Sequence, residues 1–328
     1  MTHPPTRLVP STELWKVDDA LGESLHFLRM SGVFYSRATF SAPWGLALPA
    51  MPDCMMFHAV TAGECRLEVD GGAGLRLVAG DFVLVPHGEG HRLLSAPHVP
   101  SADLFSIPRE QVSACYERID YGQGGAVTRM ICGAVRFEHP AAGHLAKLLP
   151  HRILLAARDD TADAWLRSTL GLMDLEARDL RPGGETVITR LADILVIQAI
   201  RSWLSDEGAG AVGWLGALHD RQIGPAVLLM QRRPEHDWTV TELAAQVAMS
   251  RSAFSARFTE LVGESPMAFL TRWRMQLALS WLETGEARPA DLPSRLGYGS
   301  QAAFSRAFKR IHGTAPGAAR GAGPRPLS

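Results

Sequence analysis

The stretch Ser300–Pro316, SQAAFSRAFKRIHGTAP, rewrites one found fifty residues earlier, Ser250–Pro266, SRSAFSARFTELVGESP. The copies agree at Ser250/Ser300, Ala253/Ala303, Phe254/Phe304, Ser255/Ser305, Phe258/Phe308, Gly263/Gly313 and Pro266/Pro316. Phe254, Phe258 and Leu261, like Phe304, Phe308 and Ile311, fall at i, i+4 and i+7, the buried stripe of an amphipathic helix. Ser250 and Ser300 are then N-caps, and Gly263 and Gly313 stop each helix.

A shorter helix precedes each copy. Thr239 with Glu242 forms a capping box, and Leu243, Ala244 and Val247 make a buried face ending at a tight turn around Met249. In the second copy the equivalent stretch is ADLPSRLGYGS, where Gly297 supplies the turn. Short helix, tight turn, second helix is the helix-turn-helix plan. Between the copies, PMAFLTRWRMQLALSWLETG (266–285) starts with Pro at the first helical position and ends at Gly285, which predicts one long connecting helix. Successive major grooves on one face of a duplex lie about 34 Å apart. A connecting helix of roughly 15 to 20 residues spans about 25 to 30 Å at ~1.5 Å per residue, so one chain can hold two readers near that spacing.

The outward face of each second helix is the expected reading face: Arg251, Ser252, Ser255 and Ala256 in the first copy, Gln301, Ala302, Ser305 and Arg306 in the second, with Lys309 a turn further on. Arg306 suits a guanine edge and Gln301 an adenine. Arg272, Arg274, Arg288, Arg295 and Arg310, with Lys309, are the phosphate candidates, which position without specifying.

Charge agrees with this placement. The net charge of −1 splits into 14 Lys and Arg against 8 Asp and Glu from Arg221 to Ser328, a balance of +6, and 19 against 26 in the rest, a balance of −7. The basic half is the repeated half, and double-stranded DNA is its expected partner.

From about 223 to 320 the chain resembles the DNA-binding domain of the AraC/XylS family of transcription regulators, most plainly in GYGSQAAFSRAFKRIHGTAP (297–316). That resemblance implies two helix-turn-helix subdomains on a long helix, with Ser252, Ser255, Ala256, Ala302, Ser305 and Arg306 entering the grooves. Two prolines depart from the pattern. Pro293 stands where a small helical residue is usual, so that helix either starts near Leu292 or the second unit is distorted. Pro225 is tolerated if the opening helix starts at Gly224.

The amino-terminal half reads as strands. In ECRLEVD (64–70), Cys65, Leu67 and Val69 alternate with Glu64, Arg66 and Glu68, and Asp70-Gly71-Gly72 supplies a hairpin turn. Many short strands with Gly and Pro turns predict a small barrel. Gly80, Pro86, Gly88 and His91 have the spacing of the second cupin motif, whereas the first motif's ligands are missing: WGLALPAMPDCMMFHAV (44–60) offers only His58. A metal site with three protein ligands is therefore not expected, nor a cofactor. SAPWGLALP, FHAVTAG, GDFVLVPHGEGHRL, CGAVRF and RLADILVIQAIRSWL, followed by the repeated region, resemble AraC-family regulators with a cupin-like amino-terminal domain over about 20 to 320.

At period 2, Cys54, Met56 and His58 share a face with His91 in reach, and Trp44 stands either at the barrel mouth or as a packed surface aromatic. These are the effector candidates, for a small molecule, a metal or an oxidant acting on a thiol; buried side chains that merely fill space are the alternative. Three helices are expected next, HLAKLLPHRILLAA (144–157), TADAWLRSTLGLMDLEARDL (161–180) and VITRLADILVIQAIRSWL (187–204), with a break at Arg181-Pro182-Gly183-Gly184. The third is apolar on nearly every side, which predicts burial on more than one face, by packing on the barrel or by pairing with a second subunit; the family resemblance implies the dimer.

The expected architecture is thus α+β and multidomain: a cupin-like β-barrel over 1–138, a helical connector and dimerisation region over 139–204, a linker over 205–222, an all-α tandem helix-turn-helix domain over 223–321 and a disordered tail over 322–328. A composition 46% hydrophobic and 20% charged is that of a globular chain. Apolar runs fall short of the ~18 residues of a membrane span, and the start has no apolar core like that of a secretory signal. Four cysteines without a CxxC pair point to reduced thiols. A cytoplasmic homodimer that binds DNA, answers an unknown small-molecule or redox effector and contacts the transcription machinery is the expectation. The rivals are a cupin metalloenzyme with a docking module and a thiol-based redox-sensing regulator.

Overall fold

The computed structural model describes residues 30–319, apart from 53, 70–71, 73, 138–148, 157–163, 180, 207–213, 219 and 284. The amino-terminal start, the Gly-rich core of the expected linker, the first half of the helix expected at 144–157 and the tail lie outside the described residues.

The strands form two sheets. The larger has seven strands in the order β12 (Ile153–Leu155), β6 (Phe82–Val85), β3 (Met55–Ala62), β11 (Val127–Phe137), β1 (Met30–Ser41), β10 (Tyr116–Gly122) and β9 (Arg109–Gln111). The smaller has five, in the order β5 (Leu75–Val78), β4 (Glu64–Val69), β7 (His91–Leu94), β2 (Gly45–Leu48) and β8 (Ala102–Asp103). Pairing is antiparallel except between β1 and β10 and between β2 and β8. Among the described residues neither sheet closes on itself, so the expected barrel is a cupin-like sandwich of two sheets.

The larger sheet is covered on both faces. Met56, Val60, Val83, Val85, Met130 and Cys132 meet Cys65, Leu67, Leu77 and Leu93 of the smaller sheet in one core. Met55, Phe57, Ala59, Phe82, Leu84 and Ile131 point the other way, into a core shared with helices α1 (Ala164–Arg178) and α2 (Gly184–Asp206). A strand buried on both faces shows no polar alternation, which is why Met55–Val60 are buried without a break and carry His58 as their single polar side chain. The alternation expected in β4 is present: Cys65, Leu67 and Val69 are buried and the intervening residues are not.

One expected helix is replaced. Ile153–Leu155, read as part of a helix over 144–157, is the edge strand β12, paired antiparallel with Phe82–Leu84 of β6. Pro150 cannot sit in a helix interior, and three apolar residues fill a vacant sheet edge more readily than they start a helix. The two later helices and the break at Gly183, with φ +87, are in place.

The carboxy-terminal helices begin earlier than expected. α3 (Trp214–Ala217), inside the region read as linker, packs against α4 (Ile223–Arg232) and α6 (Arg251–Val262). Then follow α5 (Val240–Gln246), before α6, and α7 (Pro266–Glu283), α8 (Leu292–Arg295) and α9 (Gln301–His312). α7 is shared between two cores: Phe269 and Leu270 join Leu243, Phe254 and Phe258, while Met275, Leu277, Ala278 and Leu282 join Leu292, Phe304 and Phe308. Both prolines are absorbed at helix starts. Pro293 is the second residue of the four-residue α8, which begins at Leu292, and Pro225 is the third residue of α4, within the turn that lacks intrahelical donors.

Candidate nucleic-acid interface and sensor core

The two second helices are built alike at their ends. Ser250 Oγ accepts from Ala253 N at 3.3 Å and Ser300 Oγ from Ala303 N at 3.2 Å, while Gly263 (φ +83) and Gly313 (φ +76) close the helices in the left-handed conformation. Phe254, Phe258, Phe304 and Phe308 are fully buried beneath them. The turns before them differ. In the first unit the left-handed residue is Ala248 (φ +53); in the second it is Gly297 (φ +70), one position further from its capping serine. The expected capping box is half made: Glu242 N donates to Thr239 Oγ1 at 3.1 Å, but the Glu242 carboxylate turns to His236 Nε2 at 2.8 Å.

Of the expected base readers, Arg251, Ser252, Ala256, Gln301, Ala302 and Arg306 are exposed, and Ser255 and Ser305 half-buried. Ser252 Oγ lies 3.4 Å from Ser250 Oγ, and Gln301 Nε2 donates to Pro289 O at 3.4 Å.

The phosphate candidates divide. Arg288, Lys309 and Arg310 are exposed. Arg295 lies over the Trp281 ring, 4.2 Å from its centroid, with Glu286 4.0 Å away. Arg272 pairs with Glu264 and stacks on Phe269, so its charge is already engaged. Arg274 is corrected: it is buried, with Nε and Nη2 donating to backbone carbonyls, which is not the setting of an open phosphate contact. Sequence reasoning passed over Arg257, which pairs with Asp220 and so ties α6 to the residues before α4, where Asp220 Oδ1 also accepts from Gln222 N and Ile223 N. An acidic residue three positions ahead of a helix start was the available signal.

In the sandwich, β3 and β7 bring His58 and His91 together, with Nε2 atoms 2.7 Å apart. Both rings are buried. Burial pushes the pKa of each below the usual histidine value, and His91 further lowers that of His58. The pair has a definite proton order. Glu89 O can only accept, so His91 Nδ1, 2.9 Å away, carries its proton and its Nε2 is the acceptor. His58 then donates from Nε2, and its Nδ1 is left as a buried acceptor without a partner. Glu89 also accepts from His151 Nδ1 at 2.8 Å, and His87 Nε2 meets Leu149 O at 2.9 Å, so the motif loop is tied to the segment entering β12.

Trp44 is corrected: it is 1% exposed, stacked on Phe40 at 4.3 Å in the sandwich core, neither at a mouth nor on the surface. Cys54 is buried in the same core, with Arg136 Nη2 3.9 Å from its sulfur. Burial pushes the Cys65 thiol up to about 12 and Cys132 higher still, which removes thiolate character from both. Among the described residues no three His, Cys, Asp or Glu side chains are grouped to hold a metal ion, and no helix is long and apolar enough to cross a membrane.

Two tyrosines connect the larger sheet to the helices. Tyr35 Oη donates to Thr189 Oγ1 of α2 at 2.9 Å, and Tyr116 Oη to Ala177 O of α1 at 2.8 Å. On those helices Leu172, Leu175, Val187 and Ile194 are exposed.

A family profile for cupins matches residues 19–205, and one for helix-turn-helix domains matches residues 243–322. A putative AraC-like transcription regulator of Streptomyces lividans is 32% identical over 91% of this chain and 97% of its own. The HTH-type transcriptional regulator AlkR of Acinetobacter baylyi is 28% identical over 89% of this chain and 95% of its own. Among solved structures, the C-terminal domain of AraT, a response regulator from Geobacillus stearothermophilus, is 26% identical over 32% of this chain and 88% of its own, with a TM-score of 0.30.

Proposed function

The chain belongs to the AraC-like DNA-binding transcription regulators with a cupin-type amino-terminal domain, and from that premise we propose that α6 and α9 read adjacent major grooves of one duplex, under control of a signal received in the sandwich. The observation that carries this reading is the duplicated helix, capped identically at both ends and mounted twice on α7 with a polar face outward. Arg251, Ser252, Ser255 and Ala256 of α6, and Gln301, Ala302, Ser305 and Arg306 of α9, are the base-reading positions; Arg288, Arg295, Lys309 and Arg310 meet phosphates. Selection of duplexes from a random pool by the full-length protein at moderate ionic strength tests this. Enrichment of a two-part site is expected, and enrichment of none overturns the reading.

Signal reception centres on the His58–His91 pair. Two neutral imidazoles in an apolar core, one with a bare acceptor nitrogen, favour a ligand that brings a hydrogen-bond donor. The links from Tyr35 to Thr189 and from Tyr116 to Ala177 carry a change in the sheet to α1 and α2. Those helices pair two copies of the chain through Leu172, Leu175, Val187 and Ile194, apolar residues that the fold of one copy leaves in water. Sedimentation of a Leu175→Glu, Ile194→Glu double variant should show monomers where the parent shows dimers.

Protons test the pair directly. Both folded-state pKa values lie below the unfolded value near ~6.5, so the unfolded chain takes up protons first as pH falls. The stability of the neutral pair is complete above that value and declines below it. Thermal unfolding from pH 7.5 to 5.5 should show a decline that a His58→Phe, His91→Leu variant lacks, and equal declines would remove the pair from the account.

A further inference from the structure

Arg274 stands midway along α7 and is 8% exposed. Its Nε donates to Pro234 O at 2.6 Å and its Nη2 to His236 O at 2.8 Å. Both carbonyls belong to the loop that leads into α5, in the first helix-turn-helix unit. On its other side the guanidinium lies 5.6 Å from the centroid of the Tyr298 ring, in the turn between α8 and α9 of the second unit.

The loop and the turn also touch directly. A Cβ on Gly297 would sit 2.2 Å from Glu235 O and 3.0 Å from Arg274 Nη2, so only glycine allows this approach. Each partner reaches further into its own unit. The Tyr298 ring packs edge-on against Phe304 of α9 at 5.6 Å, and His236 holds Glu242 of α5 at 2.8 Å. Burial works against the Arg274 charge, while Tyr298, Asp237 and Glu235 favour it.

We propose that Arg274 is a positioning residue that fixes the setting of the two recognition helices relative to each other, so that the protein distinguishes DNA sites by the spacing of their two halves as well as by sequence. α7 alone does not fix that setting. Each unit packs on a different part of the helix, and bending or twisting between those parts swings one reader against the other. A second attachment away from the helix axis removes that freedom, and the Arg274 contacts are such an attachment. The fork geometry matters: two carbonyls and a ring face are met by one planar guanidinium, whereas a lysine ammonium is a single point on a flexible stem. Changing the spacing by one base pair moves the second groove by about 3.4 Å and turns it by roughly 35°. A clamped pair cannot follow that change, and a loosened pair can.

This rests on the reading of α6 and α9 as groove readers, and its test separates the two. The full-length protein is first used to select a two-part site from random duplexes. Probes with the centre shortened or lengthened by one base pair are then titrated with the parent, Arg274→Lys and Arg274→Met, with thermal unfolding measured in parallel. The parent should lose about tenfold or more per step, or roughly 1.4 kcal/mol. The variants should bind the best probe more weakly yet vary by less than about threefold across the series. Variants that keep the parent's spacing profile, at any affinity, overturn the proposal while leaving groove reading intact. If the parent selects no site, groove reading fails and the clamp is tested without DNA, by electron-spin distances between labels at Glu260 and Lys309. A single narrow distribution in the parent and a broad one in Arg274→Met are expected; equal widths overturn it. Should Arg274→Met not fold, Gly297→Ala, which pushes the turn off Glu235 O, supplies the same comparison.

Discussion

The two helix-turn-helix units share a phrase of sequence but not an electrostatic character. In α6 the charged residues are Arg251, Arg257 and Glu260, and Arg257 is taken by Asp220. In α9 there is no acidic residue, and Arg306, Lys309 and Arg310 stand exposed where the first unit has Ala256, Thr259 and Glu260. Identity between the copies falls mainly on the buried stripe and the caps, which hold each helix in place, with Ala253/Ala303, Ser255/Ser305 and Pro266/Pro316 the matches outside them. Divergence lies on the face turned to solvent, which is where partners are chosen. Duplication has preserved a mount and varied what it carries: the first unit presents Arg251 and Glu260 among small neutral groups, the second a cluster of cations.

The largest expected effect probes whether the mounts are independent. Phe258→Ala and Phe308→Ala each remove a fully buried ring and should each cost about 3 to 5 kcal/mol of stability in their own unit. Because the two rings sit in separate cores on α7, hydrogen exchange should rise first over 240–262 in one variant and over 292–312 in the other. Simultaneous loss of both regions in either variant would show the units to be one cooperative body.

Next in size is the contrast on the reading faces. Arg306→Ala should weaken binding to the selected site by about 1 to 3 kcal/mol and relax the choice of one base. Its counterpart in the first unit is already alanine, so Ala256→Gly should change affinity far less. Lys309→Ala should weaken all sequences alike and reduce the salt slope by ~1, whereas Thr259→Ala, at the matching position, should leave that slope unchanged. Equal salt slopes for the two would mean that the charge asymmetry between the units has no part in binding.

How much of this could be read from the chain differed by region, for a physical reason. In the carboxy-terminal half the determinants are local: a stripe at i, i+4, i+7, a serine before it and a glycine after it lie within thirteen residues of one another, and each appears where expected. What escaped there depends on distant partners. Nothing local distinguishes Arg274 from Arg288, and only the approach of the 234–236 loop turns the first into a buried clamp. In the amino-terminal half distant pairing decides more. β4 was legible because one of its faces is open to alternation, whereas β12 was not, because three apolar residues carry no period. The His58–His91 approach was legible only as far as strand parity and a familiar spacing reach. The proton order that leaves His58 Nδ1 bare needed the position of Glu89 O, and the interior place of Trp44 needed the Phe40 stack.

The smallest expected effect concerns the feature the two units share most closely. Ser250 and Ser300 accept from the third residue on at 3.3 and 3.2 Å, in extended backbone, ahead of helices of 12 residues that both end at a left-handed glycine. Serine to alanine at either site should therefore cost about 1 kcal/mol, and replacement by aspartate should restore most of it, since a carboxylate both accepts the same amide and favours the positive end of the helix. The equality matters more than the size. If capping is a property of the mount, the two losses agree within about 0.5 kcal/mol despite different turns and different charges nearby. A marked difference in chemical denaturation would mean that Ala248 and Gly297, the left-handed residues at unequal distances from their serines, set how well each cap forms. DNA should then separate the substitutions: under the proposed groove reading, aspartate at either cap adds a negative charge near the phosphate backbone, so it should repair stability while weakening binding, which alanine does not do beyond its effect on folding.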